Sequence, residues 1–266
     1  MERKIVFLGG GNMAEGIING FISNGNVSPA NITVKEPVDA RRAYLTEKYG
    51  VSTSADPAEE VKNADILIIA VVPKFVSDVV AYLAPLVNEN QIIISIAAAT
   101  KIEKIAQTLG TDKKIIRMTP NTMIATQSGY SAMCFNANCT AEDKETAKAY
   151  VQYLGQIQEI SEDLFNAFTS YCNVGPLFCY QLMEALTDAG VYVGFPREVA
   201  KDMAVKNILG AAKLIDATGL EPSAKSGMMT SPAGVTIESL RALKQTGFQS
   251  SVMESVIAGF NKTNSL

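Results

Sequence analysis

The chain has 266 residues, which is enough for one large domain or two modest ones. Hydrophobic residues make up 47% and charged residues 19%, as in a globular protein with a packed core. The formal net charge is -4, so we expect no broad electrostatic attraction to nucleic acid. Histidine is absent and the cysteines form no CxxC pair, which excludes the usual zinc sites, and we expect no metal.

The N-terminal residues contain no apolar signal core, because Lys4 leads directly into a predicted strand. The longest uncharged stretch, Leu164–Met183, is interrupted by a Gly175-Pro176 pair and does not have the pattern of a membrane span. We therefore expect a cytoplasmic protein with no membrane partner.

The first part of the chain alternates short β-branched runs with helical patterns. The predicted strands are Lys4–Gly9, Asn31–Glu36, Asp65–Val72, Gln91–Ala97, Lys114–Met118, Tyr130–Phe135 and Ile157–Ile160. The predicted helices are Asn12–Ser23, Asp39–Tyr49 and Ala141–Leu154. Strands separated by helical crossovers predict a parallel sheet with helices on both faces, which is an α/β, Rossmann-type doubly wound fold.

After Ser161 no β-rich run appears, and long helical patterns follow, opened by Pro176, Pro196 and Pro232. We place a boundary near residue 160, between a dinucleotide-binding domain (1–160) and an all-α dimerisation and substrate domain (161–266). The helical half has many apolar positions for its size, so we expect it to be covered by a second copy in a homodimer.

A glycine loop connects the first predicted strand to the first predicted helix, with the spacing Gly9-x-Gly11-x-x-Ala14. Gly9 allows the tight turn, Gly11 lets a pyrophosphate approach the backbone, and Ala14 keeps helix and strand close. The helix N-terminus offers unpaired N–H groups and a positive dipole end. In this strand–turn–helix context the loop predicts dinucleotide binding.

Glu36 ends the second predicted strand, where a carboxylate accepts hydrogen bonds from ribose hydroxyls and repels a 2′-phosphate. This favours NADH over NADPH. Lys35, Arg41 and Arg42 lie nearby and leave NADPH open, because a guanidinium there can grip a phosphate. The alternative for the two arginines is a solvated helix face.

Several segments along nearly the whole chain share their order with one enzyme family. They are FLGGGNMAEGII (Phe7–Ile18), ILIIAVVP (Ile66–Pro73), IISIAAAT (Ile93–Thr100), RMTPNT (Arg117–Thr122), EALTDAGVYVGFPRE (Glu184–Glu198), LGAAKLI (Leu209–Ile215), TSPAGVTIESLRAL (Thr230–Leu243) and Gly247–Ile257. Together they resemble the pyrroline-5-carboxylate reductases. The last three are the most specific, since generic Rossmann enzymes do not share the helical half.

The resemblance implies an oxidoreductase of proline biosynthesis, which transfers a hydride from NAD(P)H to the C=N bond of 1-pyrroline-5-carboxylate to give L-proline. It implies a cofactor site lined by Gly9, Gly11, Asn12, Met13, Ala70, Val71, Pro73, Ala97 and Asn121. It places Ser231, Gly234, Val235 and Thr236 around the substrate, close to the nicotinamide. It also implies an interlocked dimer that completes each site, and in some members a larger ring of dimers.

The chemistry fits the residues independently of the resemblance. A cyclic imine arrives partly protonated, so its reduction needs no histidine acid, but it needs a fixed ring and a held carboxylate. Ser231-Pro232 predicts a helix N-cap followed by proline at the first helical position, which leaves free N–H groups for the carboxylate. The Thr236 hydroxyl is placed to hydrogen-bond the ring nitrogen. These residues alone would favour helix capping as the role of Ser231 and Thr236; with the family resemblance, they are the predicted catalytic residues.

Departures from the family pattern cluster around the predicted substrate pocket. The family's SGSGPAY segment is CNVGPLF (Cys172–Phe178) here, Gly227 replaces an acid, and PGGTT has become PAGVT with Val235 inside it. Val72 replaces the lysine of AVKP. A bulkier, more apolar pocket keeps two alternatives open: a reductase of another small cyclic imine, and a catalytically impaired regulatory paralogue.

Overall fold

The computed structural model describes residues 3–23, 25 and 27–265, which form two compact units. The first unit extends to Asn173, and the second spans Val174–Ser265. The division lies beyond the boundary expected near residue 160. Residues 161–173 stay with the first unit because Phe165 is buried there against Ala132 and Cys134.

The first unit is built on a sheet of eight strands within the described residues. They are β1 (Ile5–Leu8), β2 (Ile32–Lys35), β3 (Ser52–Ser54), β4 (Ile66–Ile69), β5 (Ile92–Ser95), β6 (Lys114–Pro120), β7 (Gly129–Phe135) and β8 (Gly155–Glu159). Their order is β3-β2-β1-β4-β5-β6-β7-β8, and β1 to β6 run parallel to one another. The α/β fold expected from the sequence is confirmed.

The expectation of a wholly parallel sheet is wrong at one edge. Strand β7 runs antiparallel to β6, and β8 runs parallel to β7. The β6–β7 connection, residues 121–128, is shorter than the roughly 10–12 residues that a parallel crossover needs. Strand β7 must therefore run in the opposite direction to β6.

Helices cover both faces of this sheet, and longer helices form the second unit. In the first unit they are α1 (Asn12–Ser23), α2 (Asp39–Tyr49), α3 (Ala58–Lys62), α4 (Val76–Leu83), α5 (Ile102–Leu109), α6 (Ala141–Val151) and α7 (Phe165–Phe168). In the second they are α8 (Gly175–Tyr192), α9 (Arg197–Thr218), α10 (Pro222–Met228), α11 (Val235–Gln245) and α12 (Phe248–Asn264). Helices α1 and α2 have the bounds predicted from the sequence.

Strands β1 and β4 are apolar at every position because both faces of the sheet are buried. On β1, Phe7 packs into one core layer with residues of α1, while Leu8 packs into the other with residues of α4. A strand covered on one side would instead alternate apolar and polar residues. The sheet therefore holds the carboxyl ends of its strands rigidly, and those ends carry the predicted cofactor residues.

The second unit has a small core of its own. Among its described residues, Thr187, Ala200 and Ala204 are fully buried, whereas many long apolar side chains are exposed. Helices α8 and α9 pack closely where Gly190 meets Ala200: a Cβ at Gly190 would lie 2.7 Å from the Ala200 Cβ. Each described helix of the chain is too short or too polar to cross a membrane.

Candidate active site

The glycine loop follows β1 and occupies a space that only glycine fits at its first position. Gly9 has φ of 110°, and a Cβ there would lie 2.6 Å from the carbonyl oxygen of Ala70. This close approach joins the carboxyl ends of β1 and β4, which are neighbours in the sheet. The predicted tight turn at Gly9 is therefore present, with Ala70 as the contact that requires it.

The start of α1 is suited to an anion. The first hydrogen bond of the helix runs from Glu15 N to Gly11 O at 2.9 Å, so the amides of Asn12, Met13 and Ala14 have no partner within the helix. No heavy atom lies within 4 Å of a Cβ built on Gly11. Free amides, open space and the positive end of the helix dipole together fit a dinucleotide pyrophosphate.

Glu36 lies directly after β2 and faces the glycine loop. Its side chain is buried, and Oε2 accepts a hydrogen bond from Gly10 N at 3.1 Å, while Oε1 accepts one from Val38 N at 3.0 Å. A carboxylate has about four acceptor positions, so two backbone bonds leave capacity for ribose hydroxyls. The acid is therefore held in place before any ligand binds.

The two arginines beyond Glu36 are turned inward and contact the backbone. Arg41 Nε donates to Gly10 O at 2.6 Å, and Arg42 Nη1 donates to Glu36 O at 2.7 Å. Their side chains are only 24% and 22% exposed. They do not form the solvated helix face left open by the sequence, and both are already engaged by the protein. Sequence reasoning missed the Arg41 contact, since no local pattern links it to Gly10.

The other predicted cofactor residues follow the strands next to β1. Ala70, Val71 and Pro73 come after β4, Ala97 comes after β5, and Asn121 comes after β6. Because these strands are parallel neighbours, their carboxyl ends share one edge of the sheet with the glycine loop. This edge includes the point between β1 and β4 where the strand order reverses, which is where such sheets bind nucleotides.

Asn121 organises the β6–β7 connection. Its Oδ1 accepts hydrogen bonds from Met123 N at 3.2 Å and Tyr130 N at 3.1 Å, and its Nδ2 faces Cys172 Sγ at 3.6 Å. Burial raises the pKa of the Cys172 thiol, which keeps it protonated near neutral pH. Asn173 Nδ2 donates to Thr119 Oγ1 at 2.9 Å. Two of the residues that depart from the family pattern are thus packed against the end of β6.

The predicted substrate loop in the second unit is a turn rather than a helix start. Gly234 N donates to Ser231 O at 3.0 Å, and Ala233 adopts φ of 57°. Helix α11 begins at Val235 with Gly234 as its N-cap, so the prediction that Ser231 and Pro232 open the helix is wrong. Proline at the second and a left-handed residue at the third position favour a tight turn over helix nucleation.

The helix that follows this turn presents its own free amides. Glu238 N reaches Gly234 O at 3.4 Å, so the amides of Val235, Thr236 and Ile237 have no partner within α11. Thr236 lines a largely apolar cleft of about 780 Å³ between α9, α10 and α11. Val235 is 86% exposed. Ser231, Gly234, Val235 and Thr236 therefore lie in a tight turn and the first turn of α11, and their contact with substrate stays a prediction.

Among the described residues, no three His, Cys, Asp or Glu side chains come together in a way that would hold a metal ion. In the first unit, free backbone amides and the buried carboxylate of Glu36 suit a dinucleotide. In the second unit, the free amides at the start of α11 suit a small anion.

Comparisons with known proteins cover both units. Residues 162–266 match a family model described as pyrroline-5-carboxylate reductase dimerisation. Pyrroline-5-carboxylate reductase of Escherichia coli K12 is 33% identical over 266 residues, which is 100% of this chain and 99% of the relative. The chain belongs to the pyrroline-5-carboxylate reductase family. The enzyme of that name from Glycine max is 32% identical over 98% of this chain and 94% of its own length.

Other matches agree with membership of the pyrroline-5-carboxylate reductase family. Residues 4–99 match the model for NADP oxidoreductase, coenzyme F420-dependent. A Coxiella burnetii pyrroline-5-carboxylate reductase structure has a TM-score of 0.92 and 27% identity, covering 100% of this chain and 98% of its own. A Plasmodium falciparum pyrroline carboxylate reductase with NADP bound has a TM-score of 0.89 and 26% identity, with the same coverage. The family expected from the sequence is confirmed, and the chain is an NAD(P)-dependent oxidoreductase of that family.

Proposed function

We propose that this chain reduces 1-pyrroline-5-carboxylate to L-proline and prefers NADH as its reductant. The observation that carries the proposal is the similarity to enzymes of that activity over the full chain, together with the intact glycine loop. The direct test is NADH oxidation by the purified protein in the presence of 1-pyrroline-5-carboxylate. Growth without proline, in a strain that lacks its own reductase, tests the same activity in a cell.

The preference for NADH rests on Glu36 and the two arginines. The carboxylate of Glu36 repels a 2′-phosphate, while Arg41 and Arg42 are engaged by backbone carbonyls and are not free to bind one. We expect kcat/KM to be at least roughly tenfold higher with NADH, since about 1.4 kcal/mol of repulsion gives that ratio. Glu36→Ala is expected to narrow the ratio, and a wild-type preference for NADPH would contradict the assignment.

We assign the cofactor residues by their places at the sheet edge. The amides of Asn12 and Met13, with the open space over Gly11, hold the pyrophosphate. The residues that follow β4, β5 and β6 line the nicotinamide end; they are Ala70, Val71, Pro73, Ala97 and Asn121. When bound, the dihydronicotinamide supplies the hydride for the carbon of the C=N bond.

We assign substrate binding to the turn before α11. The amides of Val235 and Thr236 lie at the positive end of α11 and hold the substrate carboxylate, with Ser231 and Gly234 shaping the turn. The Thr236 hydroxyl hydrogen-bonds the ring nitrogen, which stays protonated while the carbon accepts two electrons and becomes tetrahedral. The product is a secondary amine, so no other proton donor is needed.

Reduction of a different small cyclic imine is the second candidate. Val235 is 86% exposed beside Thr236 in the proposed substrate turn, where the family pattern has a threonine of similar shape with a hydroxyl. A panel of five- and six-membered cyclic imine carboxylates distinguishes the two, because the highest kcat/KM identifies the ring that fits. If none is reduced with either dinucleotide, the chain is a regulatory paralogue.

We propose that the protein works as a homodimer and that dimers associate further into a ring. The match to a dimerisation family and the exposed apolar helices of the second unit support the dimer. Light scattering after size exclusion measures both states, and a monomer would contradict the proposal. We also propose a cytoplasmic location, since the four cysteines are free thiols, as in a reducing compartment. Cell fractionation tests this.

A further inference from the structure

Arg41 connects three parts of the first unit that are distant in sequence. It lies in the first turn of α2, donates from Nε to Gly10 O at 2.6 Å, and donates from Nη2 to Glu15 Oε2 at 2.7 Å. The planar guanidinium makes both bonds from one rigid fork of fixed geometry, whereas a lysine would donate from a single, more flexible ammonium nitrogen. One side chain therefore holds the glycine loop and the first turn of α1 together.

Glu15 is the anchor of this contact. Besides Arg41 it accepts hydrogen bonds from Tyr44, Tyr49 and Lys48, all on α2, at 2.9, 2.8 and 3.0 Å. Burial alone would raise the pKa of Glu15, but these donors outweigh it and lower the pKa to about 2. The carboxylate is charged throughout the physiological range, so Arg41 is held at a fixed position.

The contact acts on a run of three glycines. Three consecutive glycines, Gly9 to Gly11, have more conformational freedom than any other residues and lose more of it when a ligand fixes them. The peptide that joins Gly10 to Gly11 is planar and trans, so holding Gly10 O also aims Gly11 N–H in the opposite direction, away from Arg41. A loop ordered in advance binds its ligand with a smaller loss of entropy.

We propose that Arg41 and Glu15 are positioning residues for the dinucleotide, which fix the Gly10–Gly11 peptide in the orientation that receives the pyrophosphate. The inference rests on the proposed function, since it concerns affinity for the same cofactor. It assigns no chemical role to either side chain. Both act through the backbone of the loop, so they affect cofactor binding and leave the chemical step unchanged.

The test measures the dissociation constant of NADH by calorimetry for the full chain and three variants: Arg41→Met, Glu15→Gln and their combination. Each single change is expected to weaken NADH binding roughly tenfold, as for loss of a charge-assisted hydrogen bond. The double variant should be no weaker than the weaker single variant, because both residues act through one contact. The kcat at saturating NADH should stay within twofold of the wild type.

Lys62→Gln is the matched control, since it removes an ion pair of 2.7 Å to Glu59 on α3, away from the glycine loop. It should leave the affinity unchanged. If Arg41→Met does not fold, Arg41→Lys keeps the charge without the rigid guanidinium fork and should still weaken binding at least threefold. Singles within twofold of the wild type, or strictly additive effects, would overturn the inference. Failure of the wild type to bind NADH or NADPH would instead overturn the proposed function.

Discussion

The glycine loop after β1 and the turn before α11 differ in how much packed structure surrounds them. At the loop, a Cβ on Gly9 would lie 2.6 Å from Ala70 O, and the neighbouring strands are buried on both faces. At the turn, Val235 is 86% exposed, and the surrounding helices have few buried side chains among the described residues. The proposed cofactor residues are therefore held by one chain's own core, whereas the proposed substrate residues lie on helices with little core of their own.

The second unit has an exposed apolar stripe on α12 that its own helices do not cover. Met253, Ile257 and Phe260 lie on one face of α12 and are 64%, 45% and 38% exposed. Their spacing of three and four residues makes a continuous apolar stripe. In a family with a dimerisation domain, a second copy covers such a stripe. Cofactor binding should therefore survive loss of the dimer, while turnover should not.

The largest expected effect comes from disrupting the close packing between the glycine loop and the end of β4. Gly9→Ala places a methyl group against Ala70 O at a backbone φ of 110°. The backbone conformation alone costs about 1–3 kcal/mol, and the clash displaces β4 from the loop. We expect NADH binding to weaken at least roughly a hundredfold and the melting temperature to fall, measured by calorimetry and thermal unfolding.

Gly11→Ala provides the control for this change, because a Cβ there meets no atom within 4 Å. Its melting temperature should match the wild type, while NADH binding weakens because the methyl group fills the space over which the pyrophosphate lies. If Gly9→Ala bound NADH as tightly as the wild type, the close approach of Gly9 to Ala70 would have no role in the site.

The second expected effect concerns the stripe on α12. Met253→Glu with Ile257→Glu introduces two charges that a dimer would bury, at a cost of several kcal/mol. We expect a monomer by light scattering, turnover reduced at least roughly a hundredfold, and NADH affinity within twofold of the wild type. Lys262→Glu, on the opposite side of the same helix, should leave the dimer intact. A fully active monomer would contradict the comparison.

Thr236→Val tests whether the Thr236 hydroxyl takes part in the reaction. It removes one hydroxyl at constant shape, and we expect kcat to fall roughly 10- to 100-fold, the range for a group that polarises the reacting atom. NADH affinity should not change. Thr230→Val is the control from the same loop, since the Thr230 hydroxyl donates to Gly227 O at 2.7 Å. Equal losses in both variants would show that the hydroxyls only hold the turn.

The parts predictable from the sequence are those specified by neighbouring residues. The bounds of α1 and α2 and the tight turn at Gly9 all follow from local spacing, capping and glycine conformation. The family motifs also single out the turn before α11 and its four residues, whose role in substrate binding stays a prediction. The predicted cofactor residues after β4, β5 and β6 share one edge because parallel strands bring their carboxyl ends together.

What the sequence did not predict depends on distant partners or on competing local signals. Strand β3 is short and polar, and it exists because β2 offers it an edge to pair with. Arg41 meets Gly10 across 31 positions of sequence. Pro232 has the residue type of a helix start, but the left-handed Ala233 that follows ends that possibility, and nothing in the pattern PAGVT distinguishes the two outcomes.

The smallest expected effect is at Ala233. A Cβ added at Gly9 would introduce backbone strain, whereas removal of the Cβ at Ala233 would relieve it. Its φ of 57° costs an L-residue about 1–2 kcal/mol, and the family pattern has glycine there. Ala233→Gly removes that strain but loses more chain entropy on folding, so the gain in unfolding free energy should be under about 1 kcal/mol. That raises the melting temperature by at most roughly 4 °C for a chain of this size.

For the same Ala233→Gly variant, we expect the imine KM to change less than about threefold, because the turn keeps its Ser231–Gly234 hydrogen bond. A tenfold rise in KM would mean instead that the Ala233 methyl group contacts the substrate and that the turn is adapted to a different ring.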